Sequence, residues 1–242
     1  MSGARALGSP HLHLRLTGST NDRARELAGA GAPHGTLVTA SEQSAGRGRQ
    51  GRTWSAPAGH ALLMSVVVRD PLPELLPLAA GLAVAGACGE RAFVKWPNDV
   101  LLADEAGERA TRKLAGILTE GRPQEGWAVV GIGVNVAVRT AELPEELRDR
   151  AATLGRDPGD VPTVRDAVLR ELERVLAAPA AELLDELRVR DALAGREIAW
   201  SGGRGVAAGI DGSGRLVVEL EGGGRTALDA GEVHLGTPAQ AG

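Results

Sequence analysis

Residues 44–54 read SAGRGRQGRTW, and the meaning of Gly46, Gly48 and Gly51 decides the fold. Their spacing matches G-x-G-x-x-G, the dinucleotide-binding fingerprint. That motif works when a strand precedes it and a helix starting within it sets its N-terminus on pyrophosphate. GTLVTA (35–40) is a plausible strand. The following RTWSAPAGH (52–60) holds Pro57 and Gly59 and lacks a helical apolar repeat, so no helix is expected and a Rossmann fold is set aside. What remains is a loop in which Arg47, Arg49 and Arg52 alternate with glycine and no acid intervenes. Ordering its backbone costs about 1–2 kcal/mol per residue, and more at glycine. Surface ion pairs return only about 0–1 kcal/mol. The loop is therefore expected to be mobile alone. It would order over an anion, whose hydrogen bonds contribute about 1.5–3 kcal/mol each. Trp54 at its end offers a flat apolar face to a heterocycle. The alternative is a solvated surface loop.

The chain around this loop has 242 residues, of which 43% are hydrophobic and spread along its length, enough for a sizeable core. Its 27 basic and 31 acidic residues leave a formal charge of −4, which gives no support to a nucleic-acid binder. Cys88, the one cysteine, sits in GLAVAGACG, where a buried and unreactive thiol is expected. Neither a signal-peptide core nor an apolar run of about 18 residues is present, so a cytoplasmic protein without membrane contact is expected. Arginine almost replaces lysine. Only Lys95 and Lys113 occur, and only three asparagines, Asn21, Asn98 and Asn135. Lys95 and Asn98 share VKWPND, Asn21 follows Ser-Thr at a helix start, and Asn135 lies in a glycine-rich strand. Such placement points to sites that need a compact ammonium or a small amide.

HLHLRL (11–16) alternates like an edge strand, and 17–31 reads as a helix entered through Ser19 or Thr20. Strands are predicted over 35–42, 60–69, 93–103 with a turn at Pro97-Asn98, 113–120 and 127–138, and helices over 71–90, 142–154, 161–179 and 180–193. A polar hairpin loop, DEAGERATR, precedes Lys113. Near Gly195 the texture changes to five short strand-like runs separated by glycine clusters, the pattern of a small β-barrel. The expected organisation is a mixed-sheet α/β (α+β) catalytic domain over 1–192 and a small Src-homology-like β-barrel over 193–242.

Several groups could carry chemistry. Ser19, Thr20 and Asn21 gather hydroxyls and free N–H groups at a helix start, although they also read as a capping signal. Gln43 both donates and accepts. Lys113 suits a carboxylate or phosphate oxygen, or is an exposed strand lysine. Gly131, Gly133 and Asn135 share one side of their strand, so two missing side chains leave a slot for a flat ligand. Asp99 is a candidate magnesium ligand or a routine turn residue.

GSTND, SEQSAGRGRQGRTW, VKWPNDVLL, RKLAGILTE and GIGVNV occur in that order. Together they resemble the biotin–protein ligase family, the biotin–[carboxylase] ligases related to lipoate ligases. The resemblance covers about residues 20–138 closely; GIDGSGRLVVEL resembles the family's C-terminal barrel more weakly. It implies ATP-dependent activation of biotin to biotinyl-5′-AMP, then transfer to a lysine of a biotin carboxyl carrier domain. By position, Ser19, Thr20, Asn21 and Gln43 would surround the biotin ring. Arg47, Gly48 and Arg49 would close over the carboxylate and then the adenylate. Lys113 would neutralise the reacting junction, with Arg49 as the second catalytic group, and Gly116 would admit the biotin bicycle. Arg52, Trp54, Asn98 and Asn135 would face ATP, and Asp99 would hold Mg2+. Gln50 takes a place often basic in relatives. The motifs begin at residue 18, so a ligase-only type without DNA binding is expected, as monomer or homodimer. Lipoate or octanoate transfer is the nearest alternative, and a non-enzymatic ligand- or nucleic-acid-binding module the alternative of another class.

Overall fold

The strand HLHLRLT (β1, His11–Thr17) leads into the helix TNDRARELAG (α1, Thr20–Gly29) and then LVTASEQ (β2, Leu37–Gln43), which returns parallel to β1. The computed structural model describes residues 6–71, 74–104, 111–229, 231 and 233–235. β3 (Ala61–Arg69), β4 (Ala92–Lys95), β5 (Asp99–Leu102), β6 (Arg112–Arg122) and β7 (Trp127–Asn135) complete a seven-stranded sheet. Its order is β1-β2-β3-β7-β6-β5-β4, antiparallel after the first pair.

β3 reads ALLMSVVVR and is buried at every residue before Arg69, because both faces of the sheet are covered. On one face Ala24 and Ala28 of α1 meet Val38, Val67, Trp127 and Val129. On the other, α2 (Leu76–Cys88) and α4 (Val161–Ala177) bring Leu78, Leu82, Val168 and Leu172 against Met64, Val66, Ile117 and Ile132. Fully burying each such side chain contributes about 1.5–3 kcal/mol. The alanines and Gly81 let α2 approach closely; a Cβ on Gly81 would stand 3.2 Å from Val94. No helix among the described residues is long and apolar enough to cross a membrane.

After α5 (Ala180–Val189) come five short strands: β8 (Glu197–Trp200), β9 (Gly203–Ile210), β10 (Leu216–Leu220), β11 (Arg225–Leu228) and β12 (His234–Leu235). They form a second sheet, order β11-β10-β9-β8-β12. All five expected strands are present. β11 and β12 stand at opposite edges without pairing to each other, so among the described residues the sheet is open where a closed barrel was expected. Its inner residues Ile198, Leu216 and Val218 join the same apolar cluster as α2. Trp96 Nε1 donates to Gly214 O at 3.0 Å and ties the second sheet to the turn between β4 and β5.

Three expectations need correction. The helix expected over 71–90 begins at Leu76, with Pro77 in its first turn; residues 72 and 73 lie outside the described set. The helix expected over 142–154 shrinks to one turn, α3 (Glu145–Arg148). Beyond it the chain pairs with the start of β6: Lys113 N donates to Arg150 O at 2.7 Å and Ala152 N to Lys113 O at 2.8 Å. Continuing the helix would leave those strand groups without partners. Ser19 is the N-cap residue of α1 by backbone, but its hydroxyl makes no capping bond. Of the predicted loop DEAGERATR, residues 105–110 lie outside the described set.

Candidate active site

α1 starts against β2, and its cap comes from that strand. Gln43 Oε1 accepts from Thr20 N at 2.7 Å and from Thr20 Oγ1 at 3.0 Å. The polar chain continues inward. Ser65 Oγ lies 2.8 Å from Thr20 Oγ1 and 2.6 Å from Asn21 Oδ1, so one hydroxyl proton serves two acceptors. Asn21 Nδ2 donates to Leu118 O at 3.1 Å and Glu120 Oε2 at 2.9 Å. Thr20, Asn21 and Ser65 are buried, where groups without partners would cost about 1–3 kcal/mol each. Gly131 makes room for this amide: a Cβ there would lie 2.1 Å from Asn21 Oδ1.

Above this floor, residues 46–54 fold into a small hairpin, a strap with structure of its own where a mobile loop was expected. Arg47 bridges to Thr53, Gly48 N donates to Arg52 O at 2.7 Å, and Trp54 N to Gly46 O at 2.9 Å. A single 3-10 turn spans Arg49–Gly51, with Gln50 left-handed at φ 55°. No α-helix follows the glycines, as the rejection of the dinucleotide fingerprint requires. Side chains anchor both flanks and offset the backbone entropy. Arg47 pairs with Glu120 and, at 3.2 Å, with Asp22; Arg49 Nη1 donates to Asn98 Oδ1 at 3.2 Å. Asn98 in turn clamps its turn to β6, donating to Ile117 O at 3.0 Å and accepting from Ile117 N at 2.8 Å.

Trp54 folds back under the strap onto β6 and β7. A Cβ on Gly133 would lie 2.6 Å from its ring, and one on Gly116 3.1 Å. Where a slot for a flat ligand was expected, the room left by the strand glycines is taken by the protein itself: the Asn21 amide at Gly131 and this indole at Gly133. Trp54 Nε1 is buried with no hydrogen-bond partner among the described residues. Lys113 Nζ lies 5.8 Å from the ring centroid. It also stands 2.7 Å from Asp99 Oδ1, an ion contact without hydrogen-bond alignment. Asn135 donates to Ala152 O at 2.9 Å and holds the segment that flanks Lys113.

Every site residue expected from the sequence lines one cavity of about 870 Å³. Its floor holds the Thr20–Asn21–Gln43 network; its rim carries Arg47, Arg49, Arg52 and Lys113. Such a cavity suits a small molecule with one polar ring and one anionic end. The expected magnesium ligand, Asp99, lines the cavity, and a cation there would take its other ligands from phosphate and water. Asp99 is engaged by Lys113, and no three His, Cys, Asp or Glu side chains converge among the described residues. Sequence reasoning missed Ser65 and Glu120. Ser65 had a signal, as the one polar residue inside ALLMSVVV. Glu120 had none, because its partners are distant in the chain.

The family pattern described as Biotin/lipoate A/B protein ligase matches residues 14–136. The biotin–[acetyl-CoA-carboxylase] ligase of Mycobacterium tuberculosis is 37% identical over 245 residues, covering 90% of this chain and 86% of that one. The bifunctional ligase/repressor BirA of Bacillus subtilis is 36% identical over 165 residues, 64% of this chain; the alignment spans about half of that relative, 49%. The biotin protein ligase of Aquifex aeolicus, solved in complex with biotin and ATP, superposes with a TM-score of 0.74 at 28% identity, over 93% of this chain and 97% of that one. The matched residues hold the floor, the strap, Lys113 and both strand glycines, and on these grounds the chain belongs to the biotin/lipoate A/B protein ligase family.

Proposed function

We propose that this protein is an ATP-dependent biotin–protein ligase. In the first step a biotin carboxylate oxygen attacks the α-phosphorus of ATP; a P–O bond forms, the bond to pyrophosphate breaks, and biotinyl-5′-AMP results. In the second, a lysine amine of a biotin carboxyl carrier domain attacks the anhydride carbonyl, loses a proton and displaces AMP. A free carboxylate is a poor acyl donor and AMP a good leaving group, so the protein's task is orientation and charge stabilisation. Proximity can supply roughly 7–11 kcal/mol in favourable cases. The attacking lysine belongs to the partner.

The observation that carries this reading is the cavity's polarity: a buried amide–hydroxyl floor and a rim that carries the four cations Arg47, Arg49, Arg52 and Lys113. Thr20, Asn21 and Gln43 would receive the ureido ring, with Ser19 at its edge. Gly116 would leave space for the bicycle. Arg47, Gly48 and Arg49 would cover the carboxylate and the adenylate phosphate. Lys113 would leave Asp99 for the charge that develops between them. Arg52, Asn98 and Asn135 lie on the nucleotide side, and the unpartnered indole N–H of Trp54 would face a nucleotide acceptor. Magnesium would arrive on the nucleotide's own phosphates, as is usual for an ion that keeps its waters. The Mycobacterium and Aquifex relatives support biotin and ATP as substrates and a carboxylase carrier as partner. Acidic net charge speaks against nucleic acid, and a cytoplasmic monomer or homodimer remains the expectation.

Biotin-dependent exchange of labelled pyrophosphate into ATP tests the first step. Exchange with biotin and none with lipoate or octanoate is expected. Exchange with lipoate alone would move the protein to the other branch of its family. Absence of any exchange, with salt-sensitive binding to single-stranded nucleic acid, would replace the enzyme with a binding module.

A further inference from the structure

We propose that Glu120 is a positioning residue, a latch that joins the strap to the pocket floor. The proposal concerns the site described above and rests on the biotin reading only for its ligand assay. Glu120 lies on β6, on the same side as Gly116 and Leu118 and four residues beyond the glycine that faces the cavity. Its Oε2 accepts from two donors at once. One is Asn21 Nδ2, at 2.9 Å, a group of the buried floor; the other is the Arg47 guanidinium of the strap. Arg25 approaches Oε1 at 3.7 Å. An unbroken polar path therefore runs from Gln43 through Thr20, Ser65 and Asn21 to Glu120 and Arg47.

A strap held by surface pairs alone would be weakly fixed. Here one oxygen is shared between floor and strap, so Asn21 and Arg47 cannot reorient independently. Asp22, 3.2 Å from Arg47, gives the same arginine a second carboxylate but touches no floor group in the network. Glu120 bonds both floor and strap. Its expected effect is on how long a ligand stays beneath the strap, with little effect on the chemistry at Lys113.

Glu120→Gln keeps an acceptor for Asn21 and removes the charge that holds Arg47. Hydrogen exchange of the free full chain, read by mass spectrometry over 45–54, should be about 3–10-fold faster in this variant, a charged hydrogen bond discounted for partial exposure. Wild-type exchange there should rise with 0.5 M NaCl, and the variant should show a smaller rise, the remainder coming from the Asp22 pair. Biotin should dissociate faster by a similar factor, with KM for biotin raised more than kcat is lowered. Equal strap exchange in both proteins at low salt would overturn the latch. So would salt-independent exchange in the wild type, a measurement that needs no variant to fold. Failure of the wild type to bind biotin would instead sink the functional reading, and the exchange data on free protein would still decide the latch.

Discussion

Replacing Gly131 by alanine puts the floor of the pocket to a quantitative test. A Cβ there would lie 2.1 Å from Asn21 Oδ1, 2.7 Å from Cγ and 2.9 Å from Nδ2. Asn21 is 3% exposed, so its amide cannot swing into solvent. Moving it breaks the contacts with Ser65, Leu118 O and Glu120. Buried groups that lose their partners cost about 1–3 kcal/mol each, and two such losses amount to roughly 2–6 kcal/mol. The alanine recovers about 0.4–1 kcal/mol by restricting the unfolded chain. A net loss of roughly 1–5 kcal/mol follows, or a fall in Tm of about 2–20 °C for a chain of this size. Urea unfolding at constant slope measures it. Gly29→Ala is the control: Gly29 ends α1 with nothing within 4 Å of the added carbon, so stability should hold or rise by up to about 1 kcal/mol. On an Asn21→Ala background Gly131→Ala should cost almost nothing, because the clash is gone. Additive costs in that cycle, or an unchanged single variant, would refute the reasoning.

Lys113→Ala should slow biotinyl-adenylate formation by a factor on the order of a hundred or more while costing only about 1 kcal/mol of stability, since the Asp99 pair is partly exposed; an unchanged first step in single-turnover assays removes its catalytic role. Burial pushes the Cys88 thiol up to about 12. At pH 8 its reaction with a disulfide reagent should therefore be on the order of a hundredfold or more slower in the folded protein than in urea. Burial also raises the Asp191 carboxyl, against the pull of its backbone hydrogen bonds from Leu193 and Ala194. A raised carboxyl destabilises the fold when ionised; the penalty is absent below the ordinary value of about 3.9 and complete above the folded value. Asp191→Asn keeps the acceptor, so its stability advantage over the wild type should grow as pH rises from 4 to 8, and a constant difference contradicts the assignment.

Local pattern made the strands readable. HLHLRL alternates because β1 is an edge strand, and ALLMSVVVR does not because α1 and α4 cover both sides of β3. The strand glycines were legible for the same reason: parity puts Gly131, Gly133 and Asn135 on one face, where the cavity lies, although Asn21 and Trp54 take the room the glycines leave. Failures occurred where a distant partner overrode a local preference. Residues 149–154 abandoned their helical pattern because the backbone of Lys113 needed pairing. Ser19 keeps the N-cap backbone without a capping bond, while Gln43, brought alongside by the parallel β1–β2 pair, takes the Thr20 N–H at the same helix end.

The strap joins both cases. Its composition pointed to an anion, since three arginines without acids between them call for negative charge nearby. Composition could not reveal that the protein already supplies part of that charge. Asp22, 25 residues before Arg47, and Glu120, 73 residues after it, meet the arginine only because α1 and β6 converge at one end of the sheet. A loop that costs about 1–2 kcal/mol per residue to order is therefore partly ordered before any ligand arrives. The anion need only displace or supplement the protein's own carboxylates. Arg49, held by the neutral Asn98, would then meet less competition than Arg47 for an incoming carboxylate or phosphate. Arg47, paired with Asp22 and Glu120, would hold the strap in place as well as face the ligand, so two guanidiniums alike in sequence would differ in work because their partners differ in charge.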